Sequence, residues 1–176
     1  MDNIRFLRKM VSELDIKLAS PEEIKIVTNI SKRAFDTDVM VGADEVGGPP
    51  NYDSEKWHKK MMLSHNLYTI KQEDYLIGGA VLFQDKRNKE IMYVGRIFID
   101  PKEYKKGFGL ESMKYIEKMF PKITTWRLET PVWNIRTNSF YKKLGYLEMY
   151  RDKESVYYQK EMSIMGSSSN SNFKVY

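Results

Sequence analysis

Apolar residues recur along this chain at two spacings, which predict an alternation of helices and strands. Intervals of three and four residues are typical of helices, whereas alternating or dense β-branched runs are typical of strands. In the first half, these patterns predict a strand at 16–19, a helix from Pro21 to about Asp36, a helix at 54–64 and strands at 67–72 and 75–84.

A capping sequence marks the start of the first helix. Ser20, Pro21 and Glu23 form a capping box with proline at the first helical position, so a helix should begin at Pro21. Its apolar positions Ile24, Val27, Ile30, Ala34 and Phe35 lie on one face.

The second half of the chain predicts two strand–helix units and a closing hairpin. A dense strand at 91–100 precedes a glycine loop and an amphipathic helix from Leu110 to Phe120. A strand at 124–132 leads to a helix that Asn134 caps and Gly145 ends. Strands at 146–150 and 155–162 complete the pattern.

Residues 36–54 separate two predicted helices with a stretch that is rich in helix and strand breakers. Gly42, Gly47, Gly48, Pro49 and Pro50 all fall there, so no regular structure is expected. Loops longer than about 12–15 residues in compact domains commonly bind a ligand. We therefore expect this segment to bind substrate.

The chain has the size of one domain. With 176 residues, of which 41% are hydrophobic, it can fill a single core, which we assign to residues 15–162. Residues 1–14 form an N-terminal extension with the pattern of a short helix. Residues 163–176 are rich in serine, glycine and asparagine and are expected to form a flexible or docking C-terminal tail.

Composition excludes several kinds of site. The absence of cysteine excludes disulfides and thiolate chemistry, and the only histidines, His58 and His65, lack a carboxylate cluster, so we expect two partly exposed helix residues and no metal site. No apolar run of about 18 residues is present, and the charged start does not suit a secretory signal. A cytoplasmic protein without membrane contact is expected.

Charge favours an anionic ligand. The net charge of +5 suits a nucleotide cofactor or nucleic acid. Basic residues occur no more densely than in pairs, and no aromatic–basic signature of a nucleic-acid module is present, so nucleic-acid binding is not expected.

The loop around Gly107 and Gly109 is a candidate phosphate site. Glycines at a helix start let backbone N–H groups approach a phosphate closely, and Lys105 and Lys106 add positive charge. A plain turn with solvated lysines remains the alternative on this loop alone. The P-loop pattern is absent, and the third glycine of the dinucleotide fingerprint is missing.

Two segments together resemble one protein family. Residues 97–101 followed by 104–109 resemble the cofactor-binding motif [QR]-x-x-G-x-[GA] of the GNAT superfamily of N-acetyltransferases. Residues 134–146 resemble that family's N-x-x-[AS]-x-x-[FL]-Y-x-K-x-G-[FY] element. Tyr104 replaces the usual Gln or Arg, and Thr137 replaces Ala or Ser. The resemblance covers about residues 15–162.

This resemblance implies a fold, a co-substrate and a site. The fold would be α/β (α+β), a mixed but mostly antiparallel sheet splayed in the middle, with helices on both faces. Acetyl-coenzyme A (acetyl-CoA) would be the co-substrate, and its acetyl group would pass directly to an amine of a small molecule, peptide or protein. The cofactor-binding residues would be Ile97, Phe98, Ile99, Tyr104, Lys105, Lys106, Gly107, Phe108, Gly109, Leu110, Asn134, Thr137 and Phe140.

The resemblance also implies the acid in the reaction. Tyr141 matches the family's usual general acid, and a phenol with a pKa near 10 is protonated at pH 7; its alternative role is core packing. Glu129 is the first candidate for the general base. Other carboxylates and aromatic residues could serve as the base or shape an acceptor pocket: Asp36, Asp38, Asp44, Glu45, Tyr52, Trp57 and Trp133.

A different class of function stays open from the sequence. The domain could bind or sense coenzyme A (CoA) without turnover, although Tyr141 argues against this. The oligomeric state could be a monomer or a homodimer.

Overall fold

A computed structural model of the protein describes residues 14–163, which form one mixed sheet with helices packed against it. The strand order is β1-β2-β3-β4-β5-β7-β6. The strands are β1 Leu14–Leu18, β2 Leu67–Gln72, β3 Tyr75–Gln84, β4 Ile91–Ile99, β5 Thr125–Pro131, β6 Leu147–Arg151 and β7 Ser155–Glu161. The helices are α1 Ile24–Asp36, α2 Glu55–Leu63, α3 Phe108–Met119 and α4 Ile135–Lys143.

The sheet opens between β4 and β5, as the resemblance implied. These two strands are parallel and pair only where Ile91–Tyr93 meets Thr125–Arg127, whereas every other neighbouring pair is antiparallel. Beyond these residues β4 stays paired with β3 on one edge. Val94 and Arg96 pair with consecutive residues of β3, which leaves a bulge at Gly95. The other edge of β4 therefore faces a gap.

Helices cover both faces of the sheet, which confirms the predicted fold class. Val81 of β3 and Phe98 of β4 pack with α1 and α2. Ala80 and Leu82, on either side of Val81, pack with α3 and α4. This arrangement follows from the alternation of side chains along a strand, which sends neighbours to opposite faces.

The first helix begins with a 3-10 turn, where the sequence predicted α-helix from Pro21. Residues Pro21–Glu23 form this turn, and α1 follows at Ile24. The capping box is present: the carboxylate of Glu23 accepts a 2.9 Å hydrogen bond from the backbone N–H of Ser20. This bond satisfies the backbone N–H of Ser20 and stabilises the turn at the start of the helix.

The prediction of no regular structure in residues 36–54 was wrong at one end. Residues Thr37–Val41 form a 3-10 helix that continues from α1. Arg136 of α4 donates hydrogen bonds to Thr37 (3.0 Å) and Asp38 (2.6 Å), which hold this turn in place. Local sequence could not predict it because the partner lies about a hundred residues away.

The prediction that both histidines are partly exposed helix residues was also wrong. His58 of α2 is fully buried, with Nδ1 3.1 Å from the hydroxyl of Thr28, and burial lowers its pKa. His65 is exposed and follows the helix with a positive φ of 57°. Within residues 14–163, no group of three or more histidine or acidic side chains could hold a metal ion.

The first strand of the sheet begins close to its predicted position. Strand β1 starts at Leu14, two residues earlier than predicted. The rest of the predicted N-terminal extension (1–13) and of the C-terminal tail (164–176) lies outside the described residues. Over residues 14–163, each helix is too short or too polar to cross a bilayer.

Candidate active site

The glycine loop joins the end of β4 to the start of α3. Asp100 caps a 3-10 turn at Pro101–Glu103 by accepting a hydrogen bond from the N–H of Lys102. Gly107 then has a positive φ of 85° and serves as the N-cap of α3. A Cβ atom at Gly107 would meet no other atom within 4 Å, so the backbone is open on this side. A helix N-terminus with an unobstructed approach can bind a phosphate.

A cavity of about 830 Å³, here called the larger cavity, lies beside this loop and the splayed edge of β4. Eleven of the thirteen predicted cofactor-binding residues line it: Ile97, Phe98, Ile99, Tyr104, Lys105, Gly107, Phe108, Gly109, Leu110, Thr137 and Phe140.

The other two predicted cofactor-binding residues lie elsewhere. The ammonium of Lys106 is 2.7 Å from the carboxylate of Glu103, and Lys106 does not line the larger cavity. Asn134 is buried, and its side chain caps α4 by accepting a 3.1 Å hydrogen bond from the N–H of Thr137. Asn134 lines a second cavity instead.

The larger cavity suits the parts of acetyl-CoA. The N-terminus of α3 presents backbone N–H groups and Lys105 for a pyrophosphate, while the unpaired edge of β4 presents peptide groups for the pantetheine amides. Ile97 and Phe140 supply apolar wall. The residues present therefore fit this co-substrate.

The second cavity, here called the smaller cavity, measures about 480 Å³ and adjoins β4 and β5 where the two strands part. It is lined by three parts of the chain: the segment after the 3-10 helix, β4 around the bulge, and β5. Five residues line both cavities: Phe35, Asp38, Ile97, Thr137 and Tyr141. The two cavities therefore meet at these side chains.

Tyr141 lies at this junction. Its side chain is only 6% exposed and packs against the rings of Phe140, Tyr146 and Tyr158. Its hydroxyl makes no hydrogen bond to any residue between 14 and 163. Burial raises the pKa of Tyr141, because the charged phenolate would lose hydration. The phenol therefore stays protonated at neutral pH.

Four of the residues that line the smaller cavity are carboxylates. Glu129, Asp44 and Glu45 line it, are exposed, and form no ion pair within the described part of the chain. Asp38 is buried and bonded to Arg136; burial raises its pKa, and the guanidinium opposes this rise. Asp36 lies outside the cavity.

The side chain of Asp36 is bonded to Lys32 and Tyr52, which explains its distance from the smaller cavity. Of the three aromatic residues predicted for an acceptor pocket, Trp133 lines this cavity, whereas Tyr52 and Trp57 do not. Tyr52 packs edge-on against Phe35.

Arg96 is the one basic residue among those that line the smaller cavity, and its charge is engaged elsewhere. The guanidinium lies 4.0 Å above the ring of Trp57 and donates a hydrogen bond to the carbonyl of Pro50. Burial lowers the pKa of Arg96 to about 10. The hydrogen bond to Pro50 attaches the 42–54 segment to β4. The ring of Trp57 packs against the guanidinium of Arg96 and so supports the wall of the smaller cavity.

Sequence reasoning missed eight residues of the larger cavity, among them Met40, Val41 and Arg136. Met40 and Val41 belong to the 3-10 helix that was not predicted, so no local signal marked them. Arg136 lies inside the second motif, two residues after Asn134, and a basic residue within a cofactor motif was a usable signal.

Comparison with known proteins agrees with this geometry. The sequence profile of the Acetyltransferase (GNAT) family matches residues 29–146. No curated protein sequence matches the chain. Similar folds include the PaiA N-acetyltransferase from Thermoplasma acidophilum in complex with coenzyme A, with a TM-score of 0.73 and 18% identity over 85% of this chain and 99% of that one.

A second similar fold is the ribosomal-protein-S18-alanine N-acetyltransferase from Escherichia coli, with a TM-score of 0.62 and 16% identity over 89% of this chain and 98% of that one. An acetyltransferase from Thermus thermophilus has a TM-score of 0.71 and 10% identity over 85% of this chain and 97% of that one. The chain thus belongs to the Acetyltransferase (GNAT) family and is an acetyl-CoA-dependent N-acetyltransferase.

Proposed function

We propose that this enzyme transfers the acetyl group of acetyl-CoA directly to a cationic amine bound in the smaller cavity. The observation that carries the proposal is the position of Tyr141, whose side chain lines both cavities where they meet. A donor in one cavity and an acceptor in the other would react at this junction without a covalent enzyme intermediate.

The larger cavity holds the donor. Backbone N–H groups from Lys105 to Leu110 bind the pyrophosphate at the N-terminus of α3. The free edge of β4 at Ile97–Ile99 pairs with the pantetheine amides, and one of its N–H groups polarises the acetyl carbonyl. Thr137 and Phe140 complete the wall. Acetyl-CoA supplies an activated acetyl thioester when it is bound.

Tyr141 serves as the general acid. Because burial keeps its phenol neutral, Oη can donate a proton to the sulfur of CoA as the thiolate leaves. The absence of a hydrogen-bond partner for this hydroxyl within residues 14–163 supports the role, since the proton is not committed to another group.

The smaller cavity selects a positively charged acceptor. The protein carries a net charge of +5, yet Asp44, Glu45 and Glu129 bring to this one cavity carboxylates that form no ion pair within residues 14–163. A cleft lined by charges of one sign attracts ligands of the opposite sign. An amine with a pKa near 10 must lose a proton before attack, at a cost of roughly 4 kcal/mol at pH 7. We assign Glu129 as the base that accepts this proton.

The similar folds bear on which amines to test. One is named for the alanine of a ribosomal protein. Peptides that begin with alanine are therefore tested beside the small cationic amines that the carboxylates of the smaller cavity favour.

A thiol-release assay tests the proposal. Acetyl-CoA is supplied with polyamines, aminoglycosides, amino acids or alanine-initiated peptides, and product is identified by mass. We expect turnover of a cationic amine by the parent and a fall of about a hundredfold in kcat for Tyr141→Phe. Tyr75→Phe, whose side chain is 75% exposed at the start of β3, is the matched control. Turnover unchanged in Tyr141→Phe would contradict the assigned acid.

A further inference from the structure

The cofactor loop carries a tyrosine at its first motif position. Tyr104 stands where the motif has Gln or Arg, so the amide or guanidinium contact to the phosphates that the resemblance implies is missing there. Lys106 does not replace it, because it does not line the larger cavity. Lys105 and the basic residue that another element brings to this cavity are the charged groups that can provide the contact.

The guanidinium of Arg136 reaches the same place from α4. Its central carbon lies 5.2 Å from the centre of the Tyr104 ring, within the range of a cation–π contact. Arg136 also lines the larger cavity, and its side chain is 35% exposed. The positive charge of Arg136 therefore lies over Tyr104, the residue that stands in place of the Gln or Arg of the motif.

The hydrogen bonds of Arg136 fix its direction and leave donors free. Nη1 donates to the hydroxyl of Thr37 and Nη2 to the carboxylate of Asp38. A guanidinium has five N–H donors, so these two bonds leave three. The bonds to Thr37 and Asp38 hold the planar group in one orientation, which lowers the entropy lost when a ligand binds.

We propose that Arg136 is a cofactor-binding residue that contacts the pyrophosphate of acetyl-CoA, and so replaces from α4 the contact that Tyr104 no longer makes. A phosphate fits because arginine binds phosphate oxygens through paired, charge-assisted hydrogen bonds. The role differs from that of the α3 N-terminus, which binds through backbone groups.

Calorimetric titration with CoA tests the assignment without turnover. We expect affinity to fall about tenfold in Arg136→Gln and less in Arg136→Lys, which keeps the charge but loses the paired geometry. Lys143→Gln removes an equal charge from an exposed position of α4 outside both cavities and should leave affinity nearly unchanged. Equal losses in Lys143→Gln and Arg136→Gln would overturn the proposal, since only general charge would then matter.

Truncated ligands locate the contact. Dephospho-CoA, which lacks the 3′-phosphate, should show the same loss in Arg136→Gln as CoA. Pantetheine, which lacks every phosphate, should bind the parent and Arg136→Gln equally in displacement titrations. A loss that persists with pantetheine would mean that Arg136 only maintains the cavity wall. A loss that disappears with dephospho-CoA would move the contact to the 3′-phosphate. Either result overturns the pyrophosphate assignment.

Discussion

The ring of Tyr141 packs edge-on against the ring of Tyr146, with the two centroids 5.6 Å apart. The Tyr146 hydroxyl donates a 3.0 Å hydrogen bond to the buried carboxylate of Glu117, whose other oxygen lies 2.7 Å from the ammonium of Lys160. The tyrosine proposed as the acid therefore packs on a second tyrosine that is hydrogen-bonded to Glu117 of α3, and Glu117 in turn is paired with Lys160 of β7. This arrangement fixes the ring of Tyr141, whose hydroxyl makes no hydrogen bond within residues 14–163.

Replacing Tyr141 should change how stability depends on alkaline pH. The pKa of Tyr141 is raised in the folded protein, whereas an unfolded tyrosine ionises near pH 10. The neutral Tyr141 phenol contributes its full share to the free energy of unfolding below about pH 10. This share is lost as the pH rises toward the pKa of Tyr141 in the folded protein. Between pH 8 and 11, Tyr141→Phe should lose about 1 kcal/mol less stability than the parent.

Urea unfolding at the two pH values measures this difference. Tyr75→Phe is the control, because the side chain of Tyr75 is 75% exposed; its stability should decline as much as the parent's. An equal decline in Tyr141→Phe would show that burial of the Tyr141 phenol does not oppose its ionisation.

Replacing Gly107 by valine should abolish binding of acetyl-CoA. Gly107 has a φ of 85°, a conformation that costs a β-branched residue about 1–2 kcal/mol, and the added side chain would occupy the phosphate approach. Gly145→Val is a matched control, since Gly145 has a φ of 86° and lies outside both cavities. Calorimetry should show lost affinity in the first variant alone, and similar melting temperatures in both.

Replacing Glu129 by glutamine should slow acetylation of charged amines selectively. With the amine acceptor found in the thiol-release assay, kcat should fall about a hundredfold, because no base takes the proton. With hydroxylamine, which is largely neutral at pH 7, the rate should change little. Glu90→Gln in the exposed turn before β4 is the control. Equal losses with both nucleophiles would assign Glu129 to binding or structure instead.

Replacing Arg96 by methionine should weaken acceptor binding. The variant loses the hydrogen bond to Pro50, which attaches the 42–54 segment to the sheet, and the contact with the ring of Trp57 on α2. Loss of about 1 kcal/mol would raise the acceptor KM about fivefold. The KM for acetyl-CoA should stay unchanged, because Arg96 does not line the larger cavity. Arg87→Met, in the exposed turn after β3, controls for loss of charge.

Local pattern determined the elements and the cofactor loop of this protein. Every predicted helix and strand within residues 14–163 is present, because side-chain spacing of 3.6 or 2 residues and the caps at Ser20 and Asn134 act over a few neighbours. The open conformation at Gly107 likewise follows from glycine's freedom to adopt positive φ. The resemblance of two motifs then indicated the splayed sheet.

Tertiary structure alone decided which side chains meet. The 3-10 helix at Thr37–Val41 is held by hydrogen bonds from Arg136. The burial of His58 depends on the packing of α2 against α1. Polar contacts direct the side chains of Asn134 and Lys106 away from the larger cavity. Many such contacts join residues that are far apart in the chain, so no local spacing of side chains in the sequence indicates them. The junction at Tyr141 forms because β4 and β5 part after three paired residues and leave room for two cavities.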